Sequence, residues 1–222
     1  MRSLINIITE RNIAINGSSI RCPSFIIIRT GVDKLNNIFM LPITFNLDKT
    51  EIVIYPTLFK DDNELIMIDC GYPDSVPKLE NAMHKIGLSL NQLTKIIITH
   101  HDHDHMGALR EIKERYPAIE ILCSKEEAPY ITGQLKSLRL QQAESIQDTL
   151  PESEKEYGKQ FQNFLASVQK VDEVTVINTG DILTFCGGIE VVDTKGHMPG
   201  HISLYSEKEK VLIAGDALVV DG

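Results

Sequence analysis

Four of the seven histidines, His100, His101, His103 and His105, fall within six positions and are interleaved with Asp102 and Asp104. Imidazole and carboxylate are the groups that borderline and hard divalent metals take, and a loop leaving a rigid strand can aim several of them at one point. A purification-tag run would be terminal and homopolymeric. A solvated polar loop would not need Thr99 and Gly107 bracketing it, so the pattern points to metal binding.

The elements that position this cluster read as alternating strands and helices. Residues 52–55 and 65–68 are β-branched-rich runs on either side of a polar Lys60-Asp61-Asp62-Asn63 cluster, and their expected arrangement is an antiparallel pair. Residues 77–88 place Leu79, Met83 and Ile86 at helical spacing, 95–98 reads as a buried strand, and 108–116 as a helix stopped by Pro117. A strand over 119–123 follows. Residues 125–171 are polar and helix-prone, with apolar anchors at Leu138, Phe161, Phe164 and Leu165, and read as an inserted helical hairpin. Strands return at 174–177, 189–192, 202–205 and 211–214, with turns at Gly187-Gly188 and Glu207-Lys208-Glu209. The alternation argues for a layered α/β fold. Residues 1–40 carry two apolar patches, at 13–15 and 25–28, around a Gly17-Ser18-Ser19 turn, and are expected to form an extension or an edge hairpin.

Composition narrows the class. With 222 residues, 42% of them hydrophobic and 24% charged, the chain is long enough to bury one substantial core and too ordinary for a collagen-like or disordered class. A net charge of −9 works against binding nucleic-acid phosphates or an anionic membrane surface, which leaves a small-molecule substrate as the expected partner. No apolar run is long enough for a membrane span, and residues 1–11 break before a signal segment forms, so the expected location is cytoplasmic. Cys22, Cys70, Cys123 and Cys186 are scattered, as reduced, packed thiols would be.

The stretch Thr99-His100-His101-Asp102-His103-Asp104-His105-Met106-Gly107 resembles the T-H-x-H-x-D-H-x-G hallmark of the metallo-β-lactamase-fold hydrolases. Anchored on Thr99 and Gly107, it matches His100, Asp104 and His105, with Asp102 where the second histidine usually stands. A rival register using His101, His103 and His105 is open on spacing alone but loses both bracketing residues. Three further segments extend the resemblance. Residues 65–71 are similar to the family's early strand ending in D-x-G, whose aspartate, here Asp69, orients ligand histidines. Residues 193–201 resemble the T-x-G-H-x-x-G-H motif, with His197 as the ligand and His201 read as structural. Residues 212–216 resemble the strand that delivers a metal-bridging aspartate, here Asp216.

The resemblance implies an αββα sandwich of two mixed sheets flanked by helices over residues 41–222, with the insert at 125–171. It implies His100, Asp102 and His197 as ligands of one ion, Asp104 and His105 as ligands of a second, and Asp216 as their bridge. Water between two such ions loses its proton near neutral pH, and Asp104 doubles as the catalytic carboxylate that steers it. The expected cofactor is Zn2+, one or two ions, with iron or manganese as alternatives because Asp102 is a harder ligand than histidine. The implied reaction is hydrolysis of an ester, thioester or lactone-like bond, as in glyoxalase II or lactonase relatives. Alternatives are a flavodiiron-like redox module and a non-catalytic metal-binding protein. The family usually adds strands, a helix and one more metal-binding histidine after the Asp216 motif. Nothing follows Gly222 here, so an incomplete C-terminal part, or a weak second metal, is expected.

Overall fold

The structure is a computed structural model that describes residues 6–8, 27–29, 37–47 and 50–218. The apolar patch at 13–15, the Gly17-Ser18-Ser19 turn and Cys22 lie outside the described residues, as do positions 219–222. Among the described residues fourteen strands are present: β1 Asn6–Ile8, β2 Ile27–Arg29, β3 Ile38–Met40, β4 Ile43–Leu47, β5 Thr50–Ile54, β6 Thr57–Lys60 and β7 Leu65–Ile68, then β8 Lys95–Ile98, β9 Glu120–Ser124, β10 Thr175–Ile177, β11 Ile182–Leu183, β12 Ile189–Asp193, β13 Ile202–Ser206 and β14 Val211–Ile213. The α-helices are α1 Val76–His84, α2 His103–Met106, α3 Leu109–Arg115, α4 Ala128–Ile131, α5 Leu138–Ile146 and α6 Glu152–Ser167.

Alternation along the strands decides how the layers stack. In β7 to β9, Met67, Ile96, Ile98, Ile121 and Cys123 point to one side, where they pack with Leu79 and Met83 of α1 and Leu109 and Ile112 of α3. Their neighbours Ile66, Ile68, Ile97 and Leu122 point to the other side and meet Ile189, Val191, Ile202, Leu204, Val211 and Ile213 of a second sheet. A strand buried on both faces reads as a continuous apolar run, and Lys95-Ile96-Ile97-Ile98 is one. The result is a helix layer on a sheet packed face to face with another sheet, the class expected. On the far side of the second sheet, Glu190 is exposed and Val192, Tyr205 and Leu212 are half-buried.

The first sheet, ordered β10-β9-β8-β7-β6-β3, is mixed: β7 to β10 run parallel and β6 and β3 pair antiparallel. The second, ordered β1-β2-β14-β13-β12-β11, is antiparallel at every described pairing, a refinement of the expected two mixed sheets. The N-terminal strands β1 and β2 complete its edge.

One expected pairing differs. Residues 52–55 do not pair with 65–68. The antiparallel partner of β7 is β6, across the Lys60-Asp61-Asp62-Asn63 turn, while β5 pairs with β4 in a separate hairpin. Pro56 causes this break, because it has no N–H to continue a ladder and so separates two strands that read as one approach to the turn. Asp61 closes the turn by accepting the Asn63 and Glu64 N–H groups, each at 2.8 Å. Within residues 125–171 the chain forms α4, α5 and α6, with α5 and α6 packed on one another.

Candidate metal centre

The expected site residues gather at one end of the sandwich, at the C-terminal ends of the parallel strands. Asp69 follows β7, His100 to His105 follow β8, His197 and His201 lie between β12 and β13, and Asp216 follows β14. Crevices beyond the carboxyl ends of parallel strands are where α/β sheets bind ligands.

The loops after β7 and β8 are tied together by backbone. Asp69 N–H donates to Ile97 O (3.0 Å), Cys70 N–H to His105 O (2.7 Å) and Gly107 N–H to Gly71 O (2.8 Å). Gly107 must lack a side chain, since a Cβ there would sit 2.3 Å from Pro73 N and 2.4 Å from His103 O. That is the physical reason for the glycine that closes the motif. The Asp69 backbone is left-handed, with φ 56°. Its buried carboxylate accepts the Thr99 N–H (2.8 Å) and the Thr99 hydroxyl (2.8 Å) and faces His105 Nδ1 at 2.9 Å. A carboxylate on Nδ1 fixes the ring and leaves Nε2 to point into the site.

Two groups of three ligand-type side chains result, each with its atoms within 4.8 Å of one another: His100, Asp102 and His197, and His100, His105 and Asp216. In the first, Asp102 Oδ2 lies 3.1 Å from His197 Nε2 and 3.6 Å from His100 Nε2. In the second, Asp216 Oδ1 lies 3.2 Å from His105 Nε2. Asp216 also reaches the first group, its Oδ2 being 3.5 Å from His197 Nε2 and 4.0 Å from His100 Nε2. Asp104 belongs to neither group among the described residues; its Oδ2 is 3.9 Å from His105 Nε2, at the edge. Thus His100 rather than Asp104 completes the second group.

The donor set fits a divalent cation. His100 Nε2 and Asp102 Oδ1 are buried with no hydrogen-bond partner among the described residues. Leaving such atoms unsatisfied is costly, and an ion bound there would supply the missing partner. The electrostatics of Asp102, Asp216 and His100 agree, while against its burial His105 is raised by Asp69 and Asp104, and the Asp102 contact raises His197. Burial pushes the Asp102 carboxyl up, but the adjacent His100 imidazole, the contact with His197 and the charge of Arg139 outweigh it and hold it well below the usual range. Burial also opposes ionisation of Asp216, yet its hydrogen bond with His105 and the nearby His100 and His197 bring it down. Burial, then the proximity of His105, lowers His100 and so favours the neutral imidazole a metal needs.

The other histidines face elsewhere. His101 Nδ1 pairs with the buried Glu127 carboxylate, its Nε2 accepts the Leu138 N–H (3.2 Å), and its ring stacks on Tyr130. His103 packs edge-on against Tyr72 and Phe164. His201 faces Thr194 Oγ1 with Nδ1 (2.9 Å) and accepts the Asp216 N–H on Nε2 (3.0 Å), so it positions the Asp216 loop. Gly215 makes room for that contact, because a Cβ at its φ of 51° would lie 2.7 Å from His201 Nε2.

Two contributors were not evident in the sequence. Glu127 holds the His101 N–H (2.9 Å) and the Gly200 N–H (2.9 Å), joining the loop after β8 to the loop before β13. Arg139, near the start of α5, donates from Nη2 to Asp102 Oδ2 at 2.9 Å. Both sit in a segment whose polarity reads as solvated surface; only the pairing of Asp102, a carboxylate in a histidine's place, with a nearby cation could have signalled Arg139.

Residues 51–222 match the family model of the metallo-beta-lactamase superfamily. The chain is 29% identical over 170 residues to a probable metallo-hydrolase, YflN, of Bacillus subtilis, covering 75% of this chain and 60% of that protein. It is 25% identical to the hydroxyacylglutathione hydrolase GloC of Haemophilus influenzae, covering 84% of this chain and 74% of the relative, and 25% identical to a hydroxyacylglutathione hydrolase of Synechococcus, covering 64% and 42%. Among solved structures, a metallo-beta-lactamase family protein of Thermus thermophilus, TTHA1429, superposes with a TM-score of 0.67 at 21% identity, over 85% of this chain and 62% of that one. The chain thus spans about three-fifths of the YflN length and of the TTHA1429 chain. Among the described residues no helix is long and apolar enough to cross a membrane.

Proposed function

The chain belongs to the metallo-beta-lactamase superfamily, and from that premise we propose that it is a metal-dependent hydrolase of an ester, thioester or lactone-like bond in a small molecule. The observation that carries this reading is the pair of ligand groups sharing His100 and spanned by Asp216. His100, Asp102 and His197 would hold one divalent ion, and His105, Asp216 and the shared His100 edge a second, with Asp104 beside it. Bound ions, zinc by family habit or iron or manganese by the carboxylate at position 102, would supply Lewis acidity and a water of lowered pKa.

The chain's own residues do the rest. Asp69 and His201 fix His105 and the Asp216 loop before substrate arrives, so no reorganisation is needed during the reaction. The carboxylate of Asp104, 14% exposed, is placed to take the proton of the attacking water. The water oxygen bonds to the acyl carbon, the bond to the leaving oxygen or sulfur breaks, and the proton passes to the leaving group. The His197 side chain, 26% exposed, marks the open side from which substrate reaches the centre. Residues 125–171 form a helical lid on that side, supported by the Arg139–Asp102 contact.

The test is hydrolysis by the purified chain of a panel of an activated ester, a thioester and a lactone, with zinc, manganese or iron(II). The reading predicts turnover that a chelator abolishes and added metal restores. Turnover indifferent to chelator, or none from protein shown to hold metal, would contradict it.

A further inference from the structure

A cleft of about 540 Å³ runs between α5 and α6, and its lining is unlike the rest of the site. Its walls are Ala143, Ile146 and Leu150 from one side and Tyr157 and Phe161 from the other, while His103 and Arg139 stand at one end. That end abuts the metal centre: His103 precedes Asp104, and Arg139 holds Asp102. None of the nine residues of α5 is buried, and Ile146 and Tyr157 remain 47% and 68% exposed. Large apolar side chains gathered along one cleft, rather than scattered, mark a binding surface.

We propose that this cleft holds the hydrocarbon chain of a medium-chain acyl substrate whose carbonyl lies at the metal centre. This rests on the hydrolase reading and narrows it. The charge pattern decides against the polar alternative. Arg139 is the one Lys or Arg side chain lining the cleft among the described residues, and it already serves Asp102, while Glu154 adds a negative charge. A leaving group rich in carboxylates, such as glutathione, finds no unengaged cation there. A neutral aliphatic chain finds apolar walls and displaces water that they order poorly.

The experiment compares p-nitrophenyl acetate with p-nitrophenyl octanoate on metal-loaded protein, and measures binding of octanamide to metal-free protein by calorimetry. The proposal predicts a kcat/KM at least tenfold higher for the octanoate. Ala143→Trp, which fills the cleft, should erase this advantage and octanamide binding while leaving acetate turnover unchanged. Tyr157→Asp, at an exposed position that folding tolerates, should reduce both in the same direction. Equal kcat/KM for the two esters, or a chain preference surviving both variants, would overturn the proposal while leaving the hydrolase reading intact. Octanamide binding that Ala143→Trp removes, in a protein that hydrolyses neither ester, would support the cleft and count against the hydrolase reading.

Discussion

The two ligand groups share His100 but are held by different parts of the molecule. His105 and Asp216 are fastened from within: Asp69, buried between the ends of β7 and β8, grips His105, and His201 grips the Asp216 backbone. His197 is partly open to solvent, and Asp102, though buried, takes its hydrogen bond from Arg139 on α5. One half of the centre is therefore set by the two packed sheets of the sandwich. The other half is set partly by the helical segment that follows β9. A fold can keep the first half constant and retune the second by changing that segment, which is how sites are grafted onto common scaffolds.

The largest expected effect comes from the residue that ignores the division. His100→Ala should abolish binding at both groups, a loss well beyond the roughly 10- to 100-fold typical of removing a residue that only orients a ligand. His101→Ala should keep the metal, because its ring nitrogens serve Glu127 and Leu138. Metal content after dialysis against a weak chelator checks both. Equal loss in the two variants would favour the register through His101, His103 and His105.

The next pair separates the halves by sign. Asp69→Asn should weaken metal binding about 10- to 100-fold and destabilise the metal-free protein by about 1–3 kcal/mol, since an amide cannot accept from both Thr99 groups and His105. Arg139→Gln should do the reverse for binding. Its guanidinium occupies the Asp102 oxygen nearest His100 and His197 and places a positive charge beside the cation. Removing it should tighten the first event of a zinc titration by about three- to tenfold, roughly 1 kcal/mol. If Arg139→Gln weakens binding instead, Arg139 orients Asp102 rather than competing for it.

The smallest effect is a pH dependence. Burial, then the neighbouring His100, lowers His201 from its usual 6.5 to about 4 in the folded chain. The folded state thus resists a proton that the unfolded state takes up. Its contribution to stability is full above 6.5 and is lost as the pH falls towards 4. Urea unfolding of metal-free protein should show His201→Gln with a shallower loss across that window than the parent. Parallel curves would mean that His201 is not held neutral.

How much of this was legible in the sequence follows from the physics of each feature. The strand run ending in Ile98 and the clustered His and Asp residues after it were readable because periodicity and ligand chemistry are both local properties. The exact pairing of β6 was not, because Pro56 splits off a four-residue strand that reads as one approach to the turn together with residues 52–55. Glu127 and Arg139 were illegible for a different reason: in a polar run such as 125–139, only the tertiary fold decides which carboxylate is buried and which cation meets Asp102. Spacing places Asp104 beside His105, and the structure keeps it 3.9 Å from His105 Nε2; what spacing cannot show is that His100 lies within reach of both candidate groups.

The most direct test of the two-group account is anomalous diffraction at the zinc edge from crystals of the metal-loaded chain. The account predicts a peak at ligand distance from His100, Asp102 and His197, with any second peak at His105 and Asp216 on the other side of His100. A peak coordinated by His101 or His103, or none within reach of His100 in metal-loaded protein, would contradict it.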